Sequence, residues 1–176
     1  MNIYGDMNID KLMLLGSGTQ GSVYKINEEK CIKIFKKKVD CINEVNTLLM
    51  AQLDNHFPKL YSYGEKYIIR EFIDGITLDS YLRSYPFTPC LANKLIELYE
   101  AMYSVGFSRV DTALFHIFLL SNEEIKLIDT SRAMKIKSTY PKLILNGLNK
   151  LKYKKQFLSY VKIVRPDIYN KWFNIK

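Results

Sequence analysis

The chain has few of the residues that build disulfide frameworks or metal cages. Its 176 residues include three cysteines and two histidines. The cysteines form neither a C-x-x-C motif nor an even set, so we expect a reducing, cytoplasmic environment. No apolar run approaches the roughly 20 residues that a membrane-spanning helix needs. The N-terminus also lacks the charged and apolar regions of a secretory signal. The sequence therefore predicts a cytoplasmic globular protein with no membrane span.

The charge is unbalanced towards basic residues. The net charge is +8, from 26 basic and 18 acidic residues, and the excess is concentrated in Lys33–Lys38 and Lys150–Lys155. Clusters of this kind can attract nucleic acid or another anionic partner. No nucleic-acid-binding motif, internal repeat or low-complexity tract accompanies them, so a lysine-rich, solvent-facing surface is the preferred interpretation. The oligomeric state stays unassigned.

A glycine-rich segment is the strongest local signal. Residues 16–26 read GSGTQGSVYKI. Glycines spaced G-x-G-x-x-G let the backbone approach a polyphosphate closely. A P-loop needs Lys and Ser/Thr directly after the last glycine, but Ser22 and Val23 follow Gly21. A Rossmann loop needs a helix at that point, and residues 22–30 are too few and too strand-like for one. A β-hairpin under a glycine loop, with Lys33 on the next strand, is typical of protein kinases.

The N-terminal half reads as mostly strands. Three short strands are predicted within residues 11–35, and two more near 59–63 and 67–73. Between them, Asp40 is expected to cap a helix over 41–53. Glu44 is expected to lie beside an apolar stripe of that helix. The stripe consists of Ile42, Val45, Leu49 and Leu53.

The C-terminal half reads as mostly helices. Thr77 or Asp79 is expected to start a short helix. Thr88 and Pro89 are the expected cap and first residue of a helix over 89–105 that stops at Gly106. Short strands are predicted at 117–120 and 125–128, and two or three helices from Pro141 onward. We expect Cys90 to be buried or half-buried, and Trp172 and Phe173 to anchor the last helix.

These elements predict an α+β, two-lobed fold in one minimal domain spanning 1–176. The N-lobe, about 1–73, has an antiparallel sheet plus one helix. A hinge at about 71–76 leads to a short, mainly helical C-lobe at about 77–176. This layout resembles the protein-kinase fold. Over roughly residues 11–134 it is similar to small bacterial serine/threonine protein kinase-like proteins with a trimmed C-terminal lobe.

The resemblance implies ATP binding in the N-terminal half. Lys33 would pair with the α- and β-phosphates, and Glu44 would hold Lys33 by an ion pair. The strand over 68–73 would meet the adenine edge. The implied ATP-binding residues are Gly16, Ser17, Gly18, Gly21, Val23, Cys31, Lys33, Glu71, Ile73 and Thr77.

The resemblance also implies two carboxylates for phosphoryl transfer. Asp111 would accept or orient the proton of the substrate hydroxyl, and Asp129 would hold Mg²⁺. His116 stands where the family has a metal-binding asparagine, and Mn²⁺ tolerates imidazole better than Mg²⁺ does. His116 would bind the metal, hydrogen-bond Asp111 or a phosphate, or simply pack under the loop. Asp129 is followed by Thr130-Ser131 in place of Phe-Gly.

Three functions are compatible with these residues. The first is an ATP-dependent kinase that transfers the γ-phosphoryl group to a Ser/Thr hydroxyl of an unidentified protein, with the chain itself among the candidates. The second is a pseudokinase that serves as a nucleotide-binding or interaction module. The third is a small-molecule kinase of the aminoglycoside or choline type. The retained Lys33, Glu44, Asp111 and Asp129 favour catalysis, and the third class usually has a larger helical lobe. The expected site is a cleft in which the lysine and the two aspartates converge on one triphosphate.

Overall fold

The computed structural model describes Ile3–Tyr4 and residues 7–173, and these form a mixed α+β fold. The strands are β1 (Ile3–Tyr4), β2 (Met7–Asn8), β3 (Met13–Ser17), β4 (Gly21–Lys25), β5 (Lys30–Phe35), β6 (Leu60–Tyr63), β7 (Tyr67–Glu71), β8 (Gly75–Thr77), β9 (Ile117–Leu120) and β10 (Ile125–Leu127). The helices are α1 (Lys38–Ala51), α2 (Leu78–Ser84), α3 (Pro89–Ser104), α4 (Lys142–Lys150), α5 (Lys154–Val164) and α6 (Pro166–Phe173). The α+β class predicted from the sequence is confirmed.

The chain divides into two compact units. The first contains the described residues up to Asp74 together with the short segment Asp129–Arg132. The second contains Gly75–Ile128 and residues 133–173. The sequence did not separate Asp129–Arg132 from its neighbours in the chain, although those four residues pack with the first unit. Each unit has its own sheet.

The first unit is built on a five-stranded antiparallel sheet in the order β3-β4-β5-β7-β6. Helix α1 packs on this sheet, and the core between them contains Phe35, Cys41, Val45, Leu48 and Ile68. The strands predicted within 11–35 and near 59–63 are confirmed. The strand predicted over 67–73 ends at Glu71, two residues early.

Helix α1 departs from its prediction in both its start and its buried face. It begins at Lys38, so Asp40 lies in the first turn instead of at the cap. The predicted apolar stripe is wrong, because Ile42, Leu49 and Leu53 are 46%, 51% and 102% exposed. The buried face also carries polar side chains, so apolar periodicity alone does not identify it. Its members are Cys41, Glu44, Val45, Thr47, Leu48 and Ala51.

The second unit combines a three-stranded antiparallel sheet, in the order β10-β9-β8, with helices α2 to α6. Helix α3 starts as predicted, since the Thr88 side chain accepts a hydrogen bond from the Leu91 amide at 3.2 Å and Pro89 is the first helical residue. Strands β9 and β10 are also confirmed, whereas β8 was not predicted. No helix within residues 7–173 is long and apolar enough to cross a membrane.

Two anchor predictions in the second unit have different outcomes. The Trp172 ring is buried and lies edge-on to the Tyr99 ring, with centroids 5.1 Å apart, as an anchor residue should. Phe173 is exposed, so its prediction is wrong. Adjacent helix positions point about 100° apart, and in α6 Trp172 lies on the buried face with Ile168 whereas Phe173 lies outside it. Cys90 is exposed near the start of α3, contrary to expectation.

Candidate functional site

Lys33 is at the centre of the candidate site, and the whole contact lies within the first unit. It projects from β5, and its Nζ lies 2.5 Å from Glu44 Oε2 and 3.7 Å from Asp129 Oδ1. The side chains of Lys33 and Glu44 are only 8% and 1% exposed, whereas that of Asp129 is 26% exposed. The ion pair expected between Lys33 and Glu44 is thus present. It joins a strand, a helix and a segment that lies much later in the sequence.

Charges in this cluster influence one another because water is largely excluded from it. Burial raises the pKa of the Glu44 carboxyl, and the ammonium of Lys33 acts in the opposite direction. Asp129 raises the same pKa, and the buried Arg70 lowers it. Lys33 Nζ also lies 4.8 Å from the centroid of the Phe35 ring, a distance typical of a cation–π contact. The cluster therefore holds a cation between two acids.

Asp129 occupies an unusual backbone conformation. Its φ is 62°, in the left-handed region, which few residues other than glycine adopt. Ser131 Oγ donates a hydrogen bond to Asp129 Oδ1 at 2.8 Å. The hydroxyls of Thr130 and Thr47 are 2.7 Å apart, so the segment is also attached to helix α1. Strained residues held by several neighbours are frequent at ligand sites.

The glycine loop between β3 and β4 has two kinds of glycine. A Cβ at Gly21 would lie 1.8 Å from the Ile34 carbonyl oxygen, so the pairing of β4 with β5 itself requires glycine there. A Cβ at Gly16 or Gly18 would meet no protein atom within 4 Å. Packing within the protein therefore does not explain Gly16 and Gly18. Open space over the loop backbone is what the approach of a phosphate chain requires.

The glycine loop contacts the Asp129 segment through one side chain. Gln20 Nε2 donates to Ser131 Oγ at 2.7 Å. In the opposite amide orientation, the nitrogen of Gln20 would donate to Asp129 Oδ2 and Oδ1 at 3.2 and 3.3 Å. The loop itself is held by Lys36, whose Nζ donates to the Gly18 carbonyl at 3.0 Å. In either orientation, Gln20 connects the loop to the neighbourhood of Asp129.

The remaining predicted ATP-binding residues of the first unit are backbone-paired or buried. Val23 lies opposite Lys33 in the β4–β5 ladder. Cys31 is buried, and its Sγ is 3.6 Å from the Glu71 carbonyl, which also accepts from Arg70 Nη1 at 3.1 Å. The Glu71 carboxylate accepts from the Lys59 amide, and Ile73 is buried. Ser17 at the loop edge shares a 2.5 Å hydrogen bond with Ser22.

Asp111, in the second unit, holds the start of a helix. Its Oδ1 and Oδ2 accept from the Leu143 amide at 2.9 and 3.0 Å, and Oδ1 accepts from Ile144 at 3.3 Å. The side chain is only 4% exposed, and Arg109 Nη2 is 4.0 Å away. Burial raises the pKa of Asp111, whereas the amides and Arg109 act to lower it. The carboxylate thus accepts hydrogen bonds from amides at the N-terminus of α4. The sequence did not predict this stabilising arrangement.

Thr77 and His116, also in the second unit, have local contacts. Thr77 precedes α2, as one of the two predicted starts, and its hydroxyl donates to Ser80 Oγ at 2.8 Å. His116 ends a 3₁₀ turn over Leu114–His116, and its ring centroid lies 4.3 Å from that of Phe115. Its carbonyl accepts from the Ile128 amide at 2.9 Å. Packing under the loop is one of the roles that the sequence left open for this histidine.

The donor set of the first unit fits a nucleotide with a divalent cation. Lys33 is a cation suited to phosphate oxygens, and Asp129 is a partly exposed hard oxygen ligand. Among the described residues, no group of three His, Cys, Asp or Glu side chains could hold a metal by itself. Mg²⁺ in nucleotide sites commonly uses only one or two carboxylates and takes its other ligands from phosphate and water. The absence of a protein cage is therefore compatible with such a site.

Sequence reasoning missed the hydroxyl and amide contacts around Asp129. Thr130 and Ser131 were noted only as a departure from Phe-Gly, and Gln20 only as a residue between two glycines. Thr47 gave no signal, since a threonine within a helix has no distinctive pattern. Neither a comparison with protein-family profiles nor one with curated proteins found a match for this chain.

Proposed function

We propose that this chain is a kinase-like, ATP-dependent phosphotransferase that acts on a Ser/Thr hydroxyl of a protein. The observation that carries the proposal is the position of Lys33, whose Nζ lies 2.5 Å from Glu44 and 3.7 Å from Asp129. Burying the charged side chains of Lys33 and Glu44 together is costly and adds little to stability compared with apolar packing. A cation held by one acid beside a second, partly exposed acid is suited to binding a phosphate–metal group.

Different residues of the first unit would bind the phosphates and the divalent cation of the nucleotide. Lys33 would hold phosphate oxygens, with Glu44 keeping its ammonium in place. Asp129 would hold Mg²⁺ or Mn²⁺, and the backbone at Gly16 and Gly18 leaves space for the phosphate chain.

ATP supplies the γ-phosphoryl group, whose bond to ADP breaks as the acceptor oxygen bonds to phosphorus. Asp111 is proposed to receive the proton of the acceptor hydroxyl.

One observation favours a second candidate, a nucleotide-binding module without transferase activity. The Asp111 carboxylate is buried and accepts hydrogen bonds from two amides of α4, which gives this residue a structural role of its own. A general base needs hydrogen-bond access to the proton that it removes. If Asp111 serves only as a helix cap, the chain would bind nucleotide through Lys33 and Asp129 and transfer nothing.

The first test measures nucleotide binding. Calorimetric titration with ATP and either cation should show saturable binding that Lys33→Ala and Asp129→Ala each weaken by an order of magnitude or more, about 1.4 kcal/mol per tenfold change. Lys38→Ala is the matched control, because Lys38 forms an exposed ion pair with Glu65 in the same unit. No binding by the wild-type chain with either cation would reject both candidates.

The second test separates transfer from binding. The chain is incubated with γ-labelled ATP, alone and with a generic protein substrate, and label on serine or threonine is measured. Asp111→Asn keeps an oxygen that can accept from the α4 amides but has no carboxylate to take a proton. If Asp111 is the base, the Asp111→Asn variant should bind ATP normally and incorporate little label. Equal labelling of the wild type and the variant would remove Asp111 from the reaction, and binding without any labelling would favour the second candidate.

A further inference from the structure

The conformation of Asp129 depends on the two residues that follow it. A left-handed φ costs free energy and persists only where the surroundings fix it. The surroundings here include two hydroxyl side chains, Thr130 and Ser131, both almost fully buried. Each makes a different contact, and neither contact is explained by backbone pairing. Buried hydroxyls with specific partners determine orientation more than they add stability.

Ser131 acts on the carboxylate itself. Its Oγ donates to Asp129 Oδ1 at 2.8 Å, on the same oxygen that lies 3.7 Å from Lys33 Nζ. The Gln20 amide group lies 2.7 Å from Ser131 Oγ and hydrogen-bonds to this hydroxyl in either of its orientations. Rotation of the carboxylate about its χ angles would break the contact with Ser131. The arrangement holds one carboxylate oxygen towards Lys33.

Thr130 acts through helix α1. Thr47 Oγ1 lies 3.0 Å from the carbonyl oxygens of Asn43 and Glu44, which tie this hydroxyl to the helix backbone. The Thr47 and Thr130 hydroxyls share a 2.7 Å hydrogen bond in which either oxygen can be the donor. Because α1 also carries Glu44, one helix fixes both Lys33 and the residue next to Asp129.

We propose that Thr130 and Ser131 are positioning residues for Asp129. They hold its carboxylate beside Lys33, in the orientation that takes the divalent cation of a bound nucleotide. This role rests on the proposed function and deepens it, since it assigns the Asp129-Thr130-Ser131 segment to cation binding. It also gives a reason for two buried hydroxyls where apolar side chains would pack as well.

The test measures how much cation is needed for nucleotide binding. Anisotropy of a fluorescent ATP analogue is followed as Mn²⁺ or Mg²⁺ is added to wild type, Thr130→Val, Thr130→Ser and Ser131→Ala. Removing a side chain that orients a metal ligand commonly weakens metal affinity by about 10–100-fold, and we expect Thr130→Val and Ser131→Ala to need at least about tenfold more cation. Thr130→Ser keeps the hydroxyl that bonds to Thr47 and should restore the wild-type midpoint. Affinity for the analogue without cation should change less than about twofold, because Lys33 and Glu44 are untouched.

Thermal unfolding of every variant separates positioning from general destabilisation. Thr88→Ala is the matched control, because it removes the cap of α3 and lowers stability without altering the first unit. If Thr130→Val unfolds too readily, Thr47→Val and the Thr47→Val/Thr130→Val pair remove the same bond and should raise the cation midpoint equally.

Three outcomes contradict the assignment. Loss of stability with an unchanged cation midpoint would make both residues purely structural. An equal loss of affinity with and without cation would place their effect on the nucleotide instead of on Asp129. In both cases the proposed function would stand. A wild-type chain that binds no nucleotide with either cation would reject the assignment and the proposed function together.

Discussion

Replacing Lys33 by methionine should strongly destabilise the first unit. The change removes the ammonium but keeps a long apolar side chain, so packing is largely preserved. Glu44 is 1% exposed and would lose its partner at 2.5 Å, and Asp129 would lose the cation at 3.7 Å. Breaking a buried ion pair from one side typically costs about 3–5 kcal/mol, because the remaining charge is left uncompensated. That is a large share of the roughly 5–15 kcal/mol by which most domains are stable.

The two sides of this ion pair should not be equivalent. Glu44→Gln removes an acid, but Lys33 still has Asp129 at 3.7 Å. Lys33→Met leaves two acids that act on each other, with the buried Arg70 as a cation that still favours the charged form of Glu44. We therefore expect Lys33→Met to cost more than Glu44→Gln. The double variant Lys33→Met/Glu44→Leu should recover much of the loss, because matched apolar replacement of a buried pair is often neutral.

Urea unfolding followed by far-UV circular dichroism would measure these differences. Lys38→Met is the matched control, because Lys38 and Glu65 form an ion pair at 3.1 Å with side chains 57% and 68% exposed. Exposed pairs contribute about 0–1 kcal/mol, and added salt weakens them further. A cost for Lys33→Met within about 1 kcal/mol of that for Lys38→Met would refute the reasoning, because it would mean that burial adds nothing to this pair.

Two further predictions concern the glycine loop and Asp111. Gly21→Ala should lower the free energy of unfolding by about 1–3 kcal/mol or more, because the new Cβ would lie 1.8 Å from the Ile34 carbonyl oxygen. Gly18→Ala should lower it far less, because a Cβ there would meet no protein atom within 4 Å. Equal thermal midpoints for the two variants would contradict this. For Asp111, burial raises the pKa in the folded chain above the ordinary value of 3.8, so the folded state binds the proton more tightly than the unfolded state. Stability should then fall as the pH rises from 3.8 through the folded pKa and level off above it. Asp111→Asn should remove this slope; parallel stability–pH curves for the two proteins would show that Asp111 does not cause it.

The sequence predicted best where short-range chemistry determines structure. The hairpin after the glycine loop follows from β-branched residues on both sides of a polar turn, and both strands are present. Thr88 and Pro89 mark the start of α3 because a hydroxyl cap and a first-turn proline both suit a helix N-terminus. The contact between Lys33 and Glu44 was also expected, although from a resemblance and not from spacing alone. These features depend on residues close together in the chain or on a known arrangement.

Long-range contacts explain what the sequence could not predict. The buried face of α1 includes Glu44 and Thr47, and their partners lie on β5 and in the segment after Ile128. Apolar spacing alone does not choose this face, because Cys41, Val45 and Leu48 have the same helical spacing as the predicted stripe. Asp111 likewise caps a helix that begins far along the chain, with its bonded amide at Leu143. A capping signal is recognisable only when the cap and the helix are adjacent in sequence.

The proposed function gives the buried polar residues of the first unit a role that stability alone does not require. Among the described residues this unit buries Lys33, Glu44, Thr47, Arg70, Thr130 and Ser131. Burying such groups requires every one of them to find a partner, and apolar residues of the same size would avoid that requirement. The double variant Lys33→Met/Glu44→Leu puts this argument to a direct measurement. If this variant folds as stably as the wild type and binds no nucleotide, then the buried Lys33–Glu44 pair is needed to bind the ligand and not to stabilise the fold.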